Sequence, residues 1–165
     1  MKTRKVIFIS LLSAIAVVLH IIESLLPLSL PLGVKLGFAN IISLVVIERY
    51  GVKEMFIVNM MRVMLSGLLT GHIMSYPFYM SCGGVLLSSL SLWGISYFSL
   101  PIISKSIISA VFHNIGQLFV LMIFVSHYAI MSYLLIMLLS SIPTGILTGY
   151  CAIEILKRLK EEQFQ

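Results

Sequence analysis

The chain has 165 residues, of which 59% are hydrophobic and 10% charged, with a mean hydropathy of +1.09 and a formal net charge of +5. No soluble domain can hide that much apolar surface behind so few polar side chains, so the composition specifies a polytopic membrane protein. Every acidic residue is glutamate and no Gly-rich Lys-Ser/Thr phosphate loop occurs, which excludes autonomous ATP hydrolysis and the aspartate-rich magnesium site of prenyl transfer.

Six transmembrane helices are expected, over residues 6–26, 36–47, 54–69, 78–98, 102–125 and 129–156, in one all-α membrane domain. The first follows Lys2, Arg4 and Lys5. That opening has the form of a secretory signal, but the apolar run is too long and no small-residue cleavage site follows it. Residues 27–35 break the pattern with Pro27, Pro31 and Gly33 and end at Lys35. The second and third spans are short, which a bundle tolerates where helices rather than lipid surround them. After Arg62, residues 63–104 and 106–153 carry no formal charge. Each of these runs exceeds the ~20 residues of one crossing. Turn residues at 70–77, 99–101 and 126–128 divide them.

Lysine and arginine favour cytoplasmic loops. With the N-terminus inside, all of the eleven basic residues except Lys35 and Arg62 fall on the cytoplasmic side, and an even number of spans returns the C-terminus there. The net charge is thereby accounted for by anchoring at the inner face of a bacterial cell membrane, and leaves no basic patch for nucleic acid. His20, His72, His113 and His127 occupy separate segments, and Cys82 and Cys151 separate spans, so neither a metal site nor a disulfide is expected and no cofactor is called for.

Arg62 lies in an apolar stretch without an acidic neighbour. A charge held in a bilayer costs roughly 2.5 kcal/mol or more, so it marks a ligand, a partner or a watery cavity. Asn59, Arg62 and Ser66 share one helical face by their spacing, and Ser109, His113 and Gln117 recur every four residues with Asn114 beside them. The two faces can line one cavity in the outer half of the bundle. Gly33 and Gly37 permit a tight entrance that sets Lys35 at the external mouth, ahead of Asn40. Lys35, Arg62 and a protonated His113 outnumber Glu23, so the expected ligand is small and anionic or electron-rich, bound by Lys35, Asn40, Asn59, Arg62, His113, Asn114 and Gln117. The plainer alternatives stay open: interhelical hydrogen bonds for the polar residues, and pairing with Glu23 for Arg62. Glu54 is about 12 Å away along the helix axis at 1.5 Å per residue, too far to pair directly.

The blocks Gly33 to Asn40, Met61 to Gly67, Ser81 to Leu86 and Ala110 to Leu118 resemble the bacterial Gx transporter family, also labelled heptaprenyl diphosphate synthase component I. The resemblance extends over nearly the whole chain. The chain is also similar to the substrate-capture subunits of energy-coupling-factor (ECF) transporters, six-helix membrane proteins that bind vitamins or related compounds from outside. That likeness implies a transmembrane coupling subunit and two ATPase subunits as partners. It also implies a docking face on the first span, where Ser10 and Ala14, with Ser13 beside them, stand in for small alanines at four-residue spacing. The combined expectation is a non-enzymatic binding subunit for import. The alternative is an accessory membrane component of heptaprenyl diphosphate or quinone synthesis.

Overall fold

A computed structural model describes the backbone of residues 2–25, 37–124 and 127–161, with side chains over 3–25, 37–124 and 134–160. Six helices follow in order: α1 Lys2–Leu25, α2 Phe38–Tyr50, α3 Val52–Leu69, α4 Tyr76–Ser96, α5 Ile102–Phe124 and α6 His127–Glu161. No strand occurs among the described residues. The expected loop at 27–35, including Lys35, lies outside the described residues.

Breaks between helices follow backbone chemistry. Gly37 enters α2 at φ 80°, and Gly51 joins α2 to α3 alone at φ 104° and ψ −178°, a region that side chains with a Cβ avoid. One residue therefore reverses the chain. Pro77 sits in the first turn of α4, where its missing N–H costs nothing. α6 begins at His127, inside the stretch expected to be a turn, and runs past the expected end to Glu161. Pro143 lies within it without ending it. Around it the hydroxyls of Ser140 and Ser141 donate to the Met137 carbonyl and that of Thr144 to the Ser140 carbonyl, each at 2.8 Å, so these polar side chains are satisfied within their own helix.

α2 is the centre. All of Ile41 to Ile47 is buried, against Leu12 and Ala16 of α1, Met55 and Val58 of α3, Leu92 of α4 and Ala152 of α6. A helix apolar all round is a buried helix, and at 1.5 Å per residue α2 is only about 20 Å long, short of a ~30 Å hydrocarbon layer. Four segments are long and apolar enough to cross a membrane: Thr3–Leu25, Tyr76–Ser96, Ile102–Phe124 and Leu134–Lys160. α3 carries Lys53, Glu54 and Arg62 within its eighteen residues.

The bundle is apolar outside and polar within. Ile7, Phe8, Leu11, Ile15 and Val18 on α1, Phe119 and Ile123 on α5, and Leu135 and Leu139 on α6 are exposed, whereas Ser43, Asn59, Arg62, Ser89 and Ser141 are buried. That distribution suits contact with lipid. Ion pairs at 2.6 Å, Lys5 with Glu54 and Lys105 with Glu48, bring the starts of α1, α3 and α5 together with the end of α2. Lys5 and Lys105 thus gather at one end of the bundle, away from Arg62. Glycines set the closest helix contacts: a Cβ at Gly116 would strike the Gly83 carbonyl and come within 2.9 Å of the Gly84 Cα, and one at Gly145 would come within 2.7 Å of the Ile107 Cα.

Candidate functional site

In the middle of the bundle, α1, α2, α3, α5 and α6 line a small polar cavity of about 20 Å³ whose wall reaches Ser106, next to Lys105, room for about one water. Arg62 reaches it from α3 with its side chain 1% exposed. The position is set by helical spacing: Asn59, Arg62, Val63 and Ser66 share the face of α3 that turns inward, while Met60, Met61, Met64 and Leu65 turn outward. The guanidinium donates one hydrogen bond, Nη1 to the Asn40 Oδ1 at 3.2 Å, and its buried Nε has no partner among the described residues. No carboxylate lies within ion-pair distance of Arg62 there.

Glu23 lines the same cavity from α1, 6% exposed, and its charge acts on Arg62. Its carboxylate accepts a hydrogen bond from the Gly37 N–H, so it also fixes the left-handed entry into α2. Glu54, at the other end of the bundle, is taken up by Lys5. Arg62 is therefore neither tied to a carboxylate directly nor placed in a charge-free interior.

The sequence-derived binding residues divide three ways. Asn40, Arg62, His113 and Asn114 meet around this cavity, with Ser109 between α5 and the rest. The Asn114 amide donates to the Met137 carbonyl at 2.7 Å and the Ser141 hydroxyl at 2.8 Å, which clamps α5 to α6. Asn59 does not reach the cavity. Its Oδ1 accepts from Ser43 at 2.5 Å and its Nδ2 donates to Ser89 at 2.8 Å and to the Met55 sulfur at 3.1 Å, so its amide joins α2, α3 and α4 with all its hydrogens spent. Gln117 is buried on α5 above Gly84 and lines neither cavity. Lys35 lies outside the described residues.

Of the docking residues, Ser10 and Ala14 are exposed on α1. Ser13 is corrected: it faces the bundle, 2% exposed, and its hydroxyl donates to the Ile9 carbonyl at 2.8 Å. A helix turns 100° per residue, so a residue one place before Ala14 cannot share its face.

A second cavity of about 480 Å³ adjoins the first, formed by the ends of α1 and α3 and the start of α4. Ile21, Leu25, Val63, Pro77 and Phe78 give it apolar walls, and Ser24, Ser66, Thr70, His72 and Ser81 give it polar points. His20 lines both cavities. A Cβ at Gly67 would meet the Phe78 ring at 2.7 Å, so this glycine allows Phe78 to lie against α3. The volume is that of a small-molecule pocket. Sequence reasoning missed this chamber and the site role of His20 and Glu23. Their i, i+3 spacing on α1 was the available signal. No group of three potential metal ligands occurs among the described residues.

A family model described as heptaprenyl diphosphate synthase component I matches residues 12–155. No curated protein and no solved structure matches the chain.

Proposed function

The chain belongs to the heptaprenyl diphosphate synthase component I family, and from that premise we propose that it is a non-catalytic membrane subunit that captures a small organic ligand for import, in the manner of an ECF substrate-capture subunit. Arg62 carries this reading. A wholly buried guanidinium with one protein hydrogen bond and an unpartnered Nε is costly unless a ligand or water completes it. The cavity it reaches shares the lining residue His20 with a chamber large enough for a small molecule. A charged anchor beside an apolar chamber suits a compound with a polar head and a hydrocarbon body, isoprenoid or vitamin-like.

Six membrane crossings place the basic end in the cytoplasm and both cavities toward the exterior. The exposed face of α1, with Ser10 and Ala14 among large apolar side chains, is the surface for a transmembrane coupling subunit, since small residues one turn apart let helices approach closely. Two ATPases on that partner supply the energy that this chain cannot.

The family description favours a second reading, a membrane accessory component of heptaprenyl diphosphate synthesis whose chemistry resides in partner subunits. Affinity purification of the full chain from native membranes separates the two. Import predicts recovery of a transmembrane coupling protein with ATPases. Recovery of a soluble prenyl synthase instead would replace transport with the accessory role.

A further inference from the structure

One face of α4 is exposed from end to end. Tyr76, Tyr79, Leu86, Leu90, Trp93 and Tyr97 follow one another at intervals of three, four or seven residues, and each is exposed. That spacing keeps them on a single stripe. Its chemistry is graded, with rings that carry a polar tip at both ends and leucine between. At one end Trp93 Nε1 donates to the Tyr97 hydroxyl at 3.1 Å. At the other, the Tyr76 and Tyr79 rings both pack against Phe124 of α5, with centroids 5.7 Å and 6.1 Å away.

The separation of the two bands is that of a hydrocarbon layer. From Tyr76 to Tyr97 the helix rises about 30 Å at 1.5 Å per residue, and the apolar core of a bilayer is ~30 Å thick. Side chains with an apolar body and a polar tip concentrate where hydrocarbon meets headgroups. The neighbouring helix agrees in register. Gly83 and Gly116 hold α4 against α5, and Lys105 lies about as far before Gly116 as Trp93 lies after Gly83. The Lys105–Glu48 ion pair therefore falls at the Trp93 band, where charge is tolerated as it is not at the bilayer centre.

The same frame gives depth to the interior. Asn59 donates to Ser89 at 2.8 Å, and Gly67 lies against the Phe78 ring, so α3 runs antiparallel to α4 and Arg62 comes level with Leu86. Pro77 and Phe78, which wall the larger cavity, stand between Tyr76 and Tyr79.

We propose that the α4 stripe is a lipid-facing surface that fixes the depth of the chain, with Trp93 and Tyr97 among the headgroups of the leaflet on the Lys105 side, Tyr76 and Tyr79 among those of the other leaflet, and acyl chains on Leu86 and Leu90. The larger cavity then lies at headgroup level and Arg62 near the middle of the membrane. Lipid is favoured over a second copy of the chain because helix seams in membranes are built on small residues, as at Gly83 and Gly116, whereas all six side chains of the stripe are large. The placement is independent of whether the chain serves import or synthesis.

Trp93 is the single tryptophan, so its fluorescence reads depth without any substitution. The full chain is reconstituted into phosphatidylcholine vesicles brominated either close to the ester linkage or far down the acyl chains. Trp93 should lose more emission to the shallow bromines. In a Trp93→Phe background, Tyr79→Trp should repeat that pattern and Leu86→Trp should lose more emission to the deep bromines. Stronger quenching of Trp93 by deep bromines, or equal quenching by both lipids, overturns the placement. Quenching of Leu86→Trp by neither lipid means that protein, such as a second copy of this chain, covers the stripe, and overturns it too. The wild-type measurement keeps the test decisive if a variant fails to fold.

Discussion

At the residue scale, Arg62 and Asn59 show how two polar side chains one turn apart take opposite roles. Both are buried on the inner face of α3. Asn59 lies nearer the basic end, where α2 and α4 close in and the Ser43 and Ser89 hydroxyls use up its amide. Arg62 lies where the bundle opens, with donors to spare. Asn59→Ala is therefore expected to lower stability by about 1–2 kcal/mol, from two lost interhelical hydrogen bonds, while the affinity for a ligand held at Arg62 stays at the wild-type value. Thermal denaturation and equilibrium dialysis on the same preparation check both halves. A loss of affinity without loss of stability would return Asn59 to the site. Arg62 was legible in the sequence because a charge in an apolar run has few explanations. Asn59 was placed with it because periodicity gives the face but not the neighbour. Glu23 was legible as a candidate partner of Arg62, whereas His20 was hidden for the converse reason, since near a helix end it passes for ordinary polarity until α1 is laid against α3.

The helices were legible because proline, glycine and short polar stretches punctuate continuous apolar sequence. α2 conforms to the expectation that a short segment needs protein on every side, as its fully buried run from Ile41 to Ile47 shows. The start of α6 was misread because Ser126 to Tyr128 looks like turn chemistry, whereas His127 and Tyr128 continue helically. What sequence could not give is how closely the helices approach. Gly116 faces Gly83 and Gly84 backbone to backbone, so no rotamer change can make room for a methyl group there. Gly116→Ala should force α4 and α5 apart at a cost of about 1–3 kcal/mol. It should also weaken a ligand held at Arg62, because His113 sits over Gly84 on the same seam and lines the small cavity. Gly94, on α4 with nothing within 4 Å of a built Cβ, is the control. Gly94→Ala should raise stability by about 0.8–1 kcal/mol through helix propensity alone. Equal melting shifts of the same sign in the two variants would remove the close-contact explanation.

For the whole molecule, orientation in the membrane decides which functional reading can hold. The larger cavity lies at the end formed by the finishes of α1 and α3 and the start of α4, the ion pairs of Lys5 and Lys105 lie at the other, and the smaller cavity lies between them. If the basic end is cytoplasmic, as loop charge dictates, the site faces the exterior and capture for import follows. The opposite orientation would turn the site toward cytosolic enzymes and favour the accessory role. Lys53 is exposed in the first turn of α3 and Ile73 in the turn between α3 and α4, so single cysteines there report the orientation directly. In a background carrying Cys82→Ser and Cys151→Ser, Ile73→Cys should react with a membrane-impermeant maleimide on intact cells, and Lys53→Cys only after permeabilisation. Labelling in the reverse pattern would exclude capture from outside, whatever the cavity binds in purified form. The argument runs from charge to side and from side to substrate source. In the capture reading Arg62 makes the cavity a binding site, and the charged cluster that begins at the Lys5–Glu54 pair, about 12 Å from it along α3 at 1.5 Å per residue, determines from which compartment its ligand comes.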